Sequence, residues 1–211
     1  MKVCEIFASI QGESTYAGLP CVFIRLTGCN LRCVYCDTAY AYDEGREMSL
    51  EEIVEAVIPH GIGLVEVTGG EPLLQAETRA LVAVLLDKGF GVLIETNGSV
   101  DIGGVDRRAV IIMDIKTPGS GMSGEMALGN LKLLTPRDEV KFVITGRDDY
   151  EWTKGFIKTH GLEGRCKILL SPAYGALPPR ELLKWILEDR LPVRLNLQLH
   201  KYIFDPCARG V

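Results

Sequence analysis

No stretch of this 211-residue chain approaches the ~18 uninterrupted apolar residues that a membrane span requires. Excess basic charge is also missing. Lys and Arg total 23 against 28 Asp and Glu, a net charge of −5, whereas a general nucleic-acid binder carries a basic footprint. The N-terminal Met1-Lys2-Val3-Cys4-Glu5 has no signal-peptide pattern, so the expected setting is the cytoplasm. Paired cysteines are lacking too. Seven, an odd number, do not suit a secreted disulfide framework, and reducing conditions with metal use are the better account. What remains is an ordinary globular balance, 47% hydrophobic and 24% charged, read as one domain over residues 1–211.

The chemistry concentrates in Thr27-Gly28-Cys29-Asn30-Leu31-Arg32-Cys33-Val34-Tyr35-Cys36-Asp37-Thr38, just after the strand-like run Cys21–Leu26. Thiolates at C-x3-C-x2-C are soft ligands that select zinc, Cu(I) or iron–sulfur clusters. Structural zinc wants four closed ligands, and no fourth Cys or His stands nearby. A [4Fe-4S] cluster held by only three thiolates keeps one iron open, where chemistry can occur. Cysteine as a small buried hydrophobe is the plain alternative. It fits poorly among Gly, Asn, Arg and Asp. Cys4, Cys21, Cys166 and Cys207 lack cluster spacing, and His60 and His160 sit before glycines at expected helix ends.

Along the chain, residues 2–20 read as an irregular approach segment, in which Gln11 and Glu13 are either ligand-facing or solvated. Strands are expected at 21–27, 64–68, 91–96, 110–116, 139–144, 166–170 and 193–198. Helices are expected from the Ser49–Glu52 capping box to about Pro59, at 75–88, near 126–134, at 149–160, and from about Pro179. This alternation implies a mostly parallel α/β sheet of about six or seven strands, an open partial (β/α) barrel rather than a closed eight-stranded one. Ligands bind at the carboxyl ends of such strands. The unusual segments fall there: Cys29–Thr38, Gly69–Pro72, Glu95–Gly98, Asp114–Gly121 and Gln198–Tyr202.

The cysteine spacing with aromatic Tyr35 before the last Cys resembles the radical S-adenosylmethionine (SAM) superfamily. The resemblance implies an open iron that chelates SAM and an electron that cleaves it to a 5′-deoxyadenosyl radical. Gly69-Gly70-Glu71-Pro72 matches the superfamily's GGEP motif for the SAM amino group, and Glu95-Thr96-Asn97-Gly98 resembles a second SAM-holding segment. Adjacent glycines also allow close backbone approach. A plain turn, a helix cap at Thr96 or Asn97, and an Asp114–Lys116 ion pair are the structural alternatives.

Ile10-Gln11-Gly12-Glu13, Cys36-Asp37-Thr38, Arg25 and Gln198-Leu199-His200-Lys201-Tyr202 together resemble the 7-carboxy-7-deazaguanine synthase family of queuosine and 7-deazapurine biosynthesis. That resemblance implies conversion of 6-carboxy-5,6,7,8-tetrahydropterin by hydrogen abstraction, ring contraction and ammonia loss, with SAM regenerated. It implies that Cys29, Cys33 and Cys36 ligate the cluster. Tyr35, Asp37, Gly70, Glu71, Glu95, Asp114, Ile115 and Lys116 would surround SAM. Ile10, Gln11, Gly12, Arg25, Thr68, His200 and Lys201 would surround the pterin, and Thr38 would offer its hydroxyl to Mg²⁺. A flavodoxin or ferredoxin as reductant and a homodimer complete the implied partners. Arg25 is costly in an apolar strand unless compensated, by the pterin carboxylate or by an internal pair with Glu13 or Glu66. Two departures stand out: Ser14 where members often have Gly, and Asp114-Ile115-Lys116 where many have Ser-Pro-Lys. The second resembles glycyl-radical activating enzymes, which are the alternative function.

Overall fold

The computed structural model describes residues 1–211 as nine strands in one open sheet with helices packed on one face. The strands are β1 (Lys2–Ile10), β2 (Pro20–Leu26), β3 (Arg46–Glu47), β4 (Leu64–Gly69), β5 (Gly91–Thr96), β6 (Val110–Ile115), β7 (Glu139–Ile144), β8 (Lys167–Pro172) and β9 (Arg194–Leu195). Their order is β3-β1-β2-β4-β5-β6-β7-β8-β9. From β2 onward every neighbouring pair is parallel, while β1 runs antiparallel to both β2 and β3. The helices are α1 (Leu50–Val57), α2 (Thr78–Asp87), α3 (Arg147–His160), α4 (Pro179–Asp189) and α5 (His200–Ile203).

Three expectations need correction. The segment 2–20 is not irregular: its first half is β1, an edge-proximal strand in which only Val3 is fully buried. With both faces half-covered, its alternation is too weak to read. Together with the two-residue β3, it raises the strand count to nine. At the other end β9 spans only Arg194–Leu195, and the residues after it fold into the single helical turn of α5. The helix expected near 126–134 is a 3-10 segment, Leu128–Leu133. The α1 capping box is present as read, with Ser49 N–H donating to Glu52 Oε2 (2.7 Å) and Glu52 N–H to Ser49 Oγ (3.1 Å).

Side chains alternate between the faces of a strand with period two, and that alternation separates core from site. On the helix-covered face, Val65, Val67, Ile94, Ile111, Met113, Ile115, Val140 and Phe142 join a large apolar core with α1 to α4. On the open face, Leu93, Val110 and Ile112 make a small apolar base, packed against Tyr16 and Leu64. Further along the same face the residues become polar: Arg25, Glu66, Thr68, Glu95, Asp114 and Lys141.

The loops above this face are tied to the scaffold. Asp149, in the first turn of α3, accepts hydrogen bonds from Gly119 N–H (2.7 Å), Thr145 N–H (3.0 Å) and Thr145 Oγ1 (2.6 Å). The loop it pins continues to the Ser120 carbonyl, which accepts from Val34 N–H in the cysteine segment (3.1 Å). Removing a buried charged acceptor strands its donors. Asp149→Ala is therefore expected to cost about 2–4 kcal/mol in urea unfolding and to speed hydrogen exchange at Val34. A loss under about 0.5 kcal/mol would show that the strap does not carry load.

Candidate active site

One cavity of about 730 Å³ opens at the carboxyl ends of the parallel strands. Its wall includes Cys29, Cys33 and Cys36 together with Gln11, Gly12, Arg25, Thr38 and Thr68. Of the expected site residues, all but two line it: Glu71 and Ile115 do not. Ile115 points by strand alternation to the apolar face, where it is 2% exposed. Glu71 is completely buried, and its carboxylate accepts from Leu73 N–H (3.0 Å), Asn97 N–H (2.7 Å) and Thr96 Oγ1 (2.8 and 2.9 Å). Its acceptor capacity is spent strapping the loop after β4 to the end of β5. Burial lifts its pKa, against the opposing effect of these hydrogen bonds.

The two glycines before it are required by the fold. Gly69 has φ of +156°, and a Cβ there would meet the Leu26 carbonyl oxygen at 2.3 Å. A Cβ on Gly70 would meet the Gly28 carbonyl oxygen at 2.3 Å and Cys29 Cβ at 2.5 Å. Gly70 thus makes room for the backbone of the cysteine loop, which Glu71 N–H also holds through the Gly28 carbonyl (2.8 Å).

The three thiols are unpaired and partly exposed. Cys29 Sγ accepts from Leu31 N–H (3.4 Å) and Asn97 Nδ2 (3.8 Å), and Cys36 Sγ lies 3.8 Å from Thr38 Oγ1. Thr38 sits at the start of a 3-10 turn without capping it, so its hydroxyl is not committed to the backbone. Asp37 pairs with Lys201 Nζ (2.8 Å), joining the cysteine loop to α5. The α5 segment also closes on the first loop: Leu199 N–H donates to the Gly12 carbonyl (2.8 Å), and the His200 ring fills the space where a Gly12 Cβ would stand. Burial pushes the His200 pKa down, favouring the neutral ring.

Arg25 pairs with neither Glu13 nor Glu66. Its Nε donates to Glu5 Oε1 (2.7 Å), which Tyr40 OH also contacts (2.8 Å). Its two terminal nitrogens make no hydrogen bond within the protein. Asp114 pairs with Lys116 (2.8 Å), as the structural alternative had it, yet Asp114 Oδ1 and Tyr35 OH remain buried beside the cavity without partners.

Beneath them lies a residue absent from the sequence reading, Lys141 of β7. Its buried ammonium contacts Glu13 (2.8 Å), Glu95 and Asp114 (3.7 Å). Burial alone would lower its pKa, but the charges of Glu13 and Glu95 outweigh that and hold it well above the ordinary lysine range. The signal was available: a lysine inside Glu139-Val140-Lys141-Phe142-Val143-Ile144 carries the same burial cost as Arg25 in its strand.

These features fit a group bound by soft ligands beside one bearing hydroxyls and amines. Three thiols without a fourth suit a cluster with one open iron, and the orphaned Asp114 Oδ1 and Tyr35 OH sit next to them. The sequence model of the Radical SAM superfamily matches residues 23–159. The fold and cavity are those of a radical SAM enzyme, a class that implies a [4Fe-4S] cluster and SAM.

Over its whole length the chain is 48% identical to a 7-carboxy-7-deazaguanine synthase of Chlorobaculum tepidum, covering 97% of that protein. It is 45% identical to one of Koribacter versatilis, with each chain covered completely. The crystal structure of QueE from Escherichia coli superposes with a TM-score of 0.77 at 25% identity, covering 94% of each chain. The chain belongs to the 7-carboxy-7-deazaguanine synthase family. The activating-enzyme alternative gives way to this membership.

Two outcomes check the geometry. Lys141→Met leaves the partly buried Glu13 and Glu95 without their cation and should cost about 3–5 kcal/mol in chemical denaturation. Less than about 1 kcal/mol would contradict the network. Gly70→Val should lower the iron and sulfide retained after anaerobic reconstitution, whereas Gly63→Val, with open space around it, should not. Equal iron in both variants would mean that the Gly70 contact does not shape the cluster loop.

Proposed function

We propose that this enzyme converts 6-carboxy-5,6,7,8-tetrahydropterin to 7-carboxy-7-deazaguanine, in the synthesis of queuosine and related 7-deazapurines. Substrate and product differ only by ammonia, so the reaction needs no net oxidant. When bound, the cluster, held by Cys29, Cys33 and Cys36, and SAM would supply the hydrogen-abstracting radical chemistry that a ring contraction requires. The observation that carries the reading is the uncommitted fork of Arg25, aimed into the same cavity that the three thiols line.

Cys29, Cys33 and Cys36 are the cluster ligands in this reading. Tyr35, Gly70, Glu95, Asp114 and Lys116 border SAM, with the orphaned Asp114 Oδ1 available to a ribose hydroxyl. Glu71 and Ile115 serve that subsite from behind, by holding the loop and the strand. Arg25 takes the substrate carboxylate through its two terminal nitrogens, a bidentate geometry suited to a guanidinium. Glu5 fixes Nε and so presents the fork at a set angle. Ile10, Gln11, Gly12, Thr68, His200 and Lys201 enclose the heterocycle, and α5 shields it from water by docking on Gly12 and Asp37. Thr38 offers a hydroxyl to Mg²⁺, an ion that keeps several waters and binds through substrate oxygens. A flavodoxin or ferredoxin as electron donor, a second copy of the chain in a homodimer, and a cytoplasmic setting accompany the proposal.

Anaerobic incubation of reconstituted enzyme with SAM, a low-potential reductant and the carboxypterin tests it. The deazaguanine chromophore should appear, and its absence from an enzyme that cleaves SAM would overturn the substrate assignment. Arg25→Lys keeps the charge but loses the fork, and Thr38→Ala removes the hydroxyl. Both should keep the cluster and reductive SAM cleavage while losing at least about tenfold in carboxypterin turnover. Loss of SAM cleavage instead would move the altered residue to the cofactor subsite.

A further inference from the structure

Resting on the carboxypterin reading above, we infer that Glu66, held by Gln11, is the specificity-determining group that reads the 2-amino-4-oxopyrimidine edge of the substrate. Glu66 is a buried acid on β4 that faces the cavity yet has no cationic partner within salt-bridge distance. Lys141, the nearest buried ammonium on the floor, is taken by Glu13, Glu95 and Asp114. Arg25 is taken at Nε by Glu5. Glu66 Oε2 accepts from Gln11 Nε2, while Oε1 makes no hydrogen bond and is not sealed from the cavity. The orientation of the Gln11 amide follows from its other end, since its Oε1 accepts from Glu13 N–H (3.0 Å). Gln11 therefore fixes the carboxyl plane and leaves one oxygen and one open edge for a ligand.

A buried carboxyl with a single amide donor and no cation is an expensive group. In the empty site burial, and next the neighbouring charge of Glu95, push its pKa well above the ordinary range, and two N–H donors arriving with a ligand oppose that rise by stabilising the ionised carboxylate. The ligand that satisfies a carboxylate edge carries two adjacent N–H donors. The amino group and ring N–H of a 2-amino-4-oxopyrimidine supply them, in the bidentate manner of a guanidinium.

The spacing agrees. On the paired strands β2 and β4, Phe23 is in register with Glu66 and Arg25 with Thr68. The carboxylate-binding and edge-reading layers are thus two residues apart, roughly 6.6 Å along the strand, close to the length of a two-ring heterocycle. Beside Glu66, Phe23 stacks on Phe7 with centroids 5.1 Å apart and planes within 14°, and both line the cavity as a flat apolar wall. The substrate is thereby oriented with its carboxylate toward Arg25 and its amino edge on the floor.

The test compares two fluorescent heterocycles on the SAM-loaded, reconstituted enzyme. Pterin-6-carboxylate has the 2-amino group, and lumazine-6-carboxylate has a 2-oxo group that would face Glu66 oxygen to oxygen. Wild type should bind the pterin at least about tenfold more tightly than the lumazine. Glu66→Gln, whose amide can donate to the 2-oxo group, should lose about tenfold in pterin affinity and narrow the preference to under about threefold, with SAM affinity unchanged. Wild type binding both heterocycles equally overturns the inference without any variant. So does a folded, SAM-binding Glu66→Gln protein that keeps the full preference. In either case the deazaguanine product still forms in the wild type, so the functional reading survives. A wild-type enzyme that binds neither heterocycle and forms no product overturns both.

Discussion

A buried ammonium sets the terms for the open face of this sheet. Lys141 sits among Glu13, Glu95 and Asp114, drawn from the first loop and from strands β5 and β6. Glu13 and Glu95 could not share that floor with Asp114 without it, because Lys116 balances only Asp114 and the remaining repulsion would force protonation or expose the layer to water. With it in place, the first loop is pulled onto the sheet, and Glu13 in turn holds Gln198 (2.9 Å) ahead of α5. The lid and the floor of the cavity are therefore one electrostatic unit, and the acid left outside it, Glu66, is free to meet a ligand.

A second constraint is steric. Gly69 lies against the backbone of Leu26 in β2 and Gly70 against the cysteine loop, so closely that neither position has room for a Cβ. Glu71 then locks the loop after β4 to β5 through three donors, Leu73, Thr96 and Asn97. The cysteine loop and the glycine–glutamate motif are thus parts of one packed joint, in which the Glu of that motif is buried while Gly69 and Gly70 face the cavity.

Much of this was legible before the structure. The cysteine spacing and the glycine pair are short motifs in loops, and the polar ends of strands β2, β4, β5 and β6 stand out as charges against apolar runs. Arg25 was conspicuous for that reason. Its partner Glu5 was not, because β1 lies near the sheet edge, half-exposed, and shows no clean alternation. Lys141 and Glu66 obey the same rule as Arg25 and were legible in principle, but neither belongs to a short motif. Glu71 and Ile115 show the limit of motif transfer. A motif marks a neighbourhood, whereas strand parity and hydrogen-bond saturation decide which of its side chains reach the ligand.

On the proposed function, one cavity holds the cysteine-bound cluster and a carboxypterin oriented by Arg25 at one end. An anaerobic crystal structure of the reconstituted enzyme with SAM and the carboxypterin measures this directly. Iron is expected on Cys29, Cys33 and Cys36, and the substrate carboxylate bidentate on the Arg25 terminal nitrogens, with Nε still on Glu5. A heterocycle bound elsewhere, or lying in the cavity with its carboxylate away from Arg25, would contradict it.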